Sequence, residues 1–353
     1  MNDGGKVHVV VPDGIDDPTR PSGGNTYDRR LCDHLAADGW SVSVRAVAGD
    51  WPWAGESSRR VLEETLASVR DDELVLVDGL VASAVPEVML PAARRLRVVL
   101  LMHTPFGCRD AGVFGPERAV ARAAAAVVTT SEWTRQWVHA SYGVDPDRVH
   151  VAHPGVYAAE AAVGSDTGRR LLCVGAVTAG KGHDLLLEAL TAIADLGWRC
   201  VCVGSLTKAP EFVDELFHDI KAAGLDDRIE LTGPRTGREL EAAYAAADLF
   251  VLASRGETYG MVVAEALARG LPVVAPRGGG IPEALGQTPD GRTPGLLVPP
   301  EDAAALAAAL ARWLTDPSLR GELRQAADER RTGLRRWSET ADRVVGVLTE
   351  VAR

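Results

Sequence analysis

Residues 248–283 read DLFVLASRGETYGMVVAEALARGLPVVAPRGGGIPE, and this stretch decides the fold. Leu249 to Leu252 is a short apolar run of the kind found in buried strands. A glycine-containing turn follows. Val262, Val263, Ala266 and Leu267 then recur at helical spacing. Gly270 stops the helix, and Leu271 to Ala275 reads as the next buried strand.

Two features of the stretch carry chemistry. The turn around Thr258, Tyr259, Gly260 and Met261 presents backbone N–H groups at a helix N-terminus, which suits an anion. Glu257 and Glu265 lie eight positions apart, about 12 Å of helical rise. A nucleotide sugar fits along such a turn. Its sugar would meet Glu257, its diphosphate the N–H groups through Val262, and its ribose Glu265. The competing reading is a capped amphipathic helix with two solvated glutamates.

Outward from this stretch the same alternation recurs. Lys6 to Val11 is a strand, followed by a long polar loop and a helix from near Asn25 to Gly39. Strand, glycine-containing loop and helix is the layout of a phosphate site, although the glycines do not spell GxGxxG. Gly23 and Gly24, placed before that helix, would bring bare backbone close to a ligand, or form a flexible loop with an Asn cap. Strands at Ser41–Ala46, Leu74–Asp78 and Arg97–Met102 alternate with helices, which predicts a mostly parallel sheet covered on both faces. Ligands of such sheets bind beyond the carboxyl ends of the strands. Asp78 and His103 stand at two such ends; either can also be a cap or a packed, hydrogen-bonded residue. Asp145-Pro146-Asp147 reads as a turn, not a metal-binding pair. Ala158 to Gly168 is small, polar and aperiodic, and reads as a domain linker. The strand–helix pattern then restarts at Arg170. Lys181, in the first loop of this second half, stands at a helix start, where the helix dipole disfavours a cation unless an anion is bound. The last stretch, Trp337 to Val351, is amphipathic.

The length of 353 residues suits two domains, and 46% hydrophobic residues suit a globular α/β chain. A net charge of −11 argues against a general nucleic-acid surface. No apolar run reaches membrane-spanning length and no secretory signal is visible, so a cytoplasmic location is expected. The five cysteines show no CxxC spacing, and reduced packing residues are expected.

Gly256 to Gly270 resembles the Glu-x7-Glu signature of retaining family 4 glycosyltransferases of the GT-B fold. Residues 248–283 are similar to that family's pattern throughout, and a weaker similarity covers nearly the whole chain. The resemblance implies two Rossmann-like doubly wound domains facing a deep interdomain cleft. Residues 1–160 would form the acceptor domain and 168–335 the nucleotide-sugar domain, with the helix of 336–353 crossing back to the first. It implies that Gly23 and Gly24 lie between donor diphosphate and acceptor, with Asn25 near the acceptor. His103 would bond a sugar hydroxyl without abstracting a proton. Lys181 would hold the diphosphate, Pro234 and Arg235 the base, Glu257 the sugar and Glu265 the ribose, with Thr258, Tyr259, Gly260, Met261 and Val262 on the diphosphate.

One position departs from the pattern. The family carries an Arg just after the first glycine of the Lys181 loop, and here Ala176 stands there. Arg255, Arg277 or a residue of the first domain would have to supply that charge.

The function implied is transfer of a hexose-type sugar from a nucleotide diphosphate donor to an acceptor hydroxyl, with retention and front-face attack. It needs no metal and no cofactor beyond the donor. Uridine is the expected base, with guanosine as the alternative. The expected acceptor is a small metabolite, while Arg94, Arg95 and Arg97 leave a lipid-linked one open. Two rival readings are a nucleotide-sugar 2-epimerase and a donor-binding protein without transferase activity.

Overall fold

The computed structural model describes residues 5–17 and 22–353. Part of the polar loop after the first strand, residues 18–21, lies outside the described residues. The chain divides into two compact units: 1–155 with 335–353, and 156–334.

The first unit begins with β1 (Lys6–Pro12), α1 (Gly23–Ala37), β2 (Ser41–Val47) and α2 (Glu56–Ala67). β3 (Leu74–Asp78), α3 (Gly79–Ala82), α4 (Pro86–Ala93) and β4 (Arg97–Met102) follow. α5 (Ala111–Ala123), β5 (Ala126–Thr129), α6 (Glu132–Trp137) and β6 (Val149–Val151) complete its sheet. The second unit contains β7 (Arg170–Val174), α7 (His183–Ala192), β8 (Arg199–Val203), α8 (Pro210–Ala222) and β9 (Ile229–Leu231). It continues through α9 (Gly237–Ala246), β10 (Leu249–Val251), α10 (Met261–Ala268), β11 (Val273–Pro276) and α11 (Ile281–Leu285). It ends with β12 (Gly295–Val298), α12 (Ala303–Thr315) and α13 (Pro317–Arg331), after which α14 (Trp337–Ala352) belongs to the first unit.

Each sheet has six parallel strands, ordered β2-β1-β3-β4-β5-β6 and β12-β11-β10-β7-β8-β9. The central strands are continuous apolar runs, as a sheet buried on both faces requires; β3 is buried at all five positions. β2 alternates exposed and half-buried residues because it is an edge strand. Strand order reverses between β1 and β3 in one unit, and between β7 and β10 in the other. A doubly wound sheet opens its ligand crevice at that reversal, at the carboxyl ends of the strands.

α14 buries Trp337, Thr340, Ala341, Val344, Val347 and Leu348, one helical stripe. The Thr340 hydroxyl donates to the His153 carbonyl at 2.7 Å, and Arg97 donates to the Val351 carbonyl at 2.9 Å. No helix of the described residues is long and apolar enough to cross a membrane.

The segment expected as a linker is bonded to the second unit. Ala162 donates to the Arg269 carbonyl at 2.8 Å and Gly164 to Ala245 at 3.1 Å. The buried carboxylate of Asp248 takes the Ser165 hydroxyl at 2.7 Å and the Arg170 N–H at 2.8 Å. A polar, aperiodic sequence reads as a linker, but here its polar groups find partners across the sheet's amino-terminal edge.

Candidate active site

In the second unit the two strands flanking the reversal bring Lys181 and Glu257 together. Lys181 ends a single turn after β7, and Gly182 follows with φ of +69°. A Cβ on Gly182 would sit 2.0 Å from the Ala253 carbonyl, so only glycine lets this turn lie against the end of β10. The result is Lys181 Nζ at 2.5 Å from Glu257 Oε1. The Ser254 hydroxyl donates to the same oxygen at 2.8 Å. A lysine carries three donors, so the pair leaves Lys181 able to bond a second anion.

The glycine loop after β11 seats this carboxylate. Gly280 N–H donates to the Glu257 carbonyl at 3.0 Å. A Cβ on Gly279, whose φ is +57°, would come within 1.8 Å of that carbonyl.

α10 starts at Met261 behind Gly260, with no side-chain cap. The N–H groups of Met261 and Val262 find no acceptor among the described residues, since the first bond of the helix runs from Val263 to Gly260. Thr258 and Tyr259 precede them in the same turn. One helical turn further on, Glu265 is half-buried and accepts the Tyr244 hydroxyl at 3.0 Å. Burial raises its carboxyl above the usual range, against the lowering effect of Tyr244 and then Arg269.

Pro234 and Arg235 follow β9 and reach the same side of the sheet. Gly175 donates to Val203 at 2.9 Å and Gly204 to Gly233 at 3.0 Å, which lays the loops after β7, β8 and β9 side by side. The Arg235 guanidinium bonds Glu230 at 3.2 Å.

Of the named replacements for the missing arginine at Ala176, Arg255 is held by Asp184 in a bidentate pair at 2.9 and 2.6 Å. Arg277 is exposed, and its guanidinium has no partner among the described residues.

In the first unit, Gly23 and Gly24 are not loop residues. They form the first turn of α1, and Ser22, not Asn25, is the cap: its hydroxyl oxygen accepts the Asn25 N–H at 3.1 Å. The Asn25 amide donates to the Gly14 carbonyl at 3.3 Å and so ties the loop after β1. Gly24 lies against the His103 ring, where a Cβ would be 3.4 Å from Cδ2.

His103 follows β4, and its Nε2 lies 2.8 Å from Asp28 Oδ1. Thr130 donates to the His103 carbonyl at 3.4 Å. Asp78 does cap α3, accepting the Leu80 N–H at 2.8 Å, and it also faces Asp28 and His103. Asp28 carried no local signal; it is a polar residue on the buried side of α1 and acquires meaning only when β3 and β4 are placed beside it.

The basic cluster at 94–97 is largely used internally. Arg95 donates to the Val69 carbonyl at 2.6 Å and to Asp71 at 3.1 Å, and Arg97 to Val351. Asp145 accepts the Asp147 N–H at 3.0 Å in a single turn.

Two parallel doubly wound sheets, each with polar groups at its reversal, define an α/β architecture of the GT-B type. Residues 21–160 match the family model described as Glycosyltransferase Family 4, and residues 168–316 match Glycosyl transferases group 1. The chain belongs to glycosyltransferase family 4.

Among curated relatives, the D-inositol 3-phosphate glycosyltransferase of Saccharomonospora viridis is 34% identical over 67% of this chain and 58% of its own length. One from Catenulispora acidiphila is 33% identical over 67% of this chain and 60% of its own. The chain thus matches about three fifths of the length of these relatives.

Among solved structures, Anabaena HepE, crystallised with UDP and glucose, superposes with a TM-score of 0.79 at 17% identity, covering 98% of this chain and 99% of that one. A glycosyltransferase from Rickettsia africae gives 0.77 at 18%, covering 99% of each. At such identities the likeness concerns the fold.

Proposed function

We propose that this protein is a retaining glycosyltransferase that moves a hexose-type sugar from a nucleotide diphosphate, with uridine as base, to a hydroxyl of a small metabolite. The observation that carries the reading is the Lys181–Glu257 pair at the reversal of the second sheet, beside the uncapped start of α10. Lys181 and the amides from Thr258 to Val262 neutralise the diphosphate as it leaves, Glu257 holds the sugar hydroxyls and Glu265 the ribose. Backbone around Pro234 and Arg235 meets the base. In the first unit, Gly23, Gly24 and Asn25 serve the acceptor, and His103 bonds a sugar hydroxyl. The acceptor attacks on the face from which the phosphate departs, and that phosphate takes its proton. The free Arg277 replaces the charge missing at Ala176. The internal use of Arg95 and Arg97 favours a small acceptor over a lipid-linked one.

The deciding experiment is calorimetric titration with UDP and GDP, each also as its glucose, N-acetylglucosamine or mannose conjugate. Tight binding of a uridine donor is expected; binding of neither nucleotide sinks the proposal. A panel of acceptors then follows, opening with D-inositol 3-phosphate because the curated relatives bear that name. Incubating the donor without acceptor tests the 2-epimerase alternative, since C2 inversion would replace transfer. EDTA should leave turnover intact, and loss restored by manganese would overturn the metal-free mechanism.

A further inference from the structure

Two buried carboxylates converge on one imidazole at the reversal of the first sheet. Asp28 comes from α1 and Asp78 from the end of β3, and they are 1% and 3% exposed. His103 Nε2 is 2.8 Å from Asp28 Oδ1, and one ligating atom from each of the three residues lies within 4.8 Å of the others. Asp28 Oδ2 is buried with no hydrogen-bond partner. Among the described residues the other neighbours are uncharged: the Tyr27 ring stands edge-on at 5.0 Å, Gly24 lies against the ring, and Thr130 bonds the main chain. Nδ1 has no partner among the described residues, and the side chain keeps 16% of its surface exposed.

Two carboxylates buried this close cannot both be ionised beside a neutral imidazole. One proton on the ring and one between the acids gives a cluster of zero net charge. The orphan oxygen of Asp28 is the acceptor that the second proton requires.

We propose that Asp28 and Asp78 are positioning residues that keep His103 an imidazolium throughout neutral pH, so that its Nδ1–H is a cationic hydrogen-bond donor to a ligand oxygen and the ring is no general base. The identity of that oxygen, a sugar hydroxyl or a phosphate, rests on the transferase reading above; the protonation state does not. Burial by itself lowers the His103 pKa, but the charge and hydrogen bond of Asp28, then the charge of Asp78, outweigh it and raise it to about 9. Asp78 is raised by burial first and then by the charge of Asp28. A fixed cation suits a reaction whose leaving phosphate takes the proton, because a free base is not needed.

The test is a nitrogen–proton NMR titration of the full-length protein labelled at histidine, with His103→Gln used only to assign the signal. The His103 ring nitrogens should hold imidazolium shifts from pH 6 to 8 and titrate near 9. In Asp28→Asn the midpoint should fall by about 1–2 pH units, as loss of an adjacent opposite charge predicts. Asp78→Asn should lower it less, and serves as the second variant should Asp28→Asn not fold. A wild-type midpoint at or below 8 overturns the proposal. So does displacement of the ring protons by zinc chloride at pH 7, which would make the cluster a metal site. Where turnover is measurable, kcat/KM of Asp28→Asn should fall as pH rises through the lowered midpoint while the wild type stays flat. A flat NMR response with no nucleotide binding would defeat the transferase reading and leave the imidazolium standing.

Discussion

Glu265 carries a conflict between stability and binding in a single side chain. Its carboxyl is raised by burial, so its contribution to folding is full at low pH and is lost as pH rises through the raised value. Above that raised value it is ionised in a site that disfavours the charge. Glu265→Gln keeps an acceptor for Tyr244 and removes the charge. Its melting temperature at pH 8 should therefore rise above wild type, while UDP affinity should drop by about tenfold with one charge-assisted hydrogen bond gone. A melting temperature that falls at pH 8 would refute the account. Glu257 differs because its charge is matched by Lys181. Glu257→Gln should lower kcat by about a hundredfold with a small effect on UDP affinity, the pattern of an interaction made chiefly in the transition state. Equal loss of both, measured by kinetics and calorimetry, would make Glu257 a simple binding residue. The spacing of these two glutamates singled them out as candidates. Asp28 was not, because a lone Asp on a helix is ordinary until two strand ends from elsewhere in the chain approach it.

The uncapped start of α10 and the glycine loop after β11 act as one device. The loop presses on the Glu257 main chain, and the turn that follows leaves amides without acceptors. Gly279→Ala would force a Cβ into the Glu257 carbonyl at a φ of +57°, a strain of about 1–3 kcal/mol. Denaturant unfolding should show that loss, and UDP binding should weaken with it. Unchanged binding would mean that the loop does not hold the turn whose amides meet the diphosphate. Most strands and helices could be read from apolar runs and 3.6-residue spacing, since a buried parallel sheet demands such runs. The start of α1 could not. A glycine pair has no preference for loop over first helical turn, and the Ser22 cap decided it. The bonds of segment 158–168 were illegible for a related reason: small polar residues show no partner until Asp248 is placed beside them.

Across the chain, α14 returns to the first unit 254 residues after the strand its last turn touches, as the Arg97–Val351 bond records. Its apolar stripe is the local hint that it docks, and Val344 at its centre is fully buried. Val344→Asp would bury an unpaired charge at a cost of more than about 3 kcal/mol. Hydrogen exchange should then show lost protection in β3, β4 and α1, with the second unit unchanged; uniform loss would show that the two units unfold together. By itself the sequence determined the α/β alternation, the restart of the pattern at Arg170 and the helix that carries Glu265, because each rests on local periodicity. Only the tertiary structure decided the Lys181–Glu257 contact, the Asp28–His103–Asp78 cluster and the fate of the strap at 158–168. Those depend on which strand ends lie side by side, and strand order in a parallel sheet is fixed by long-range packing that no short stretch of residues encodes.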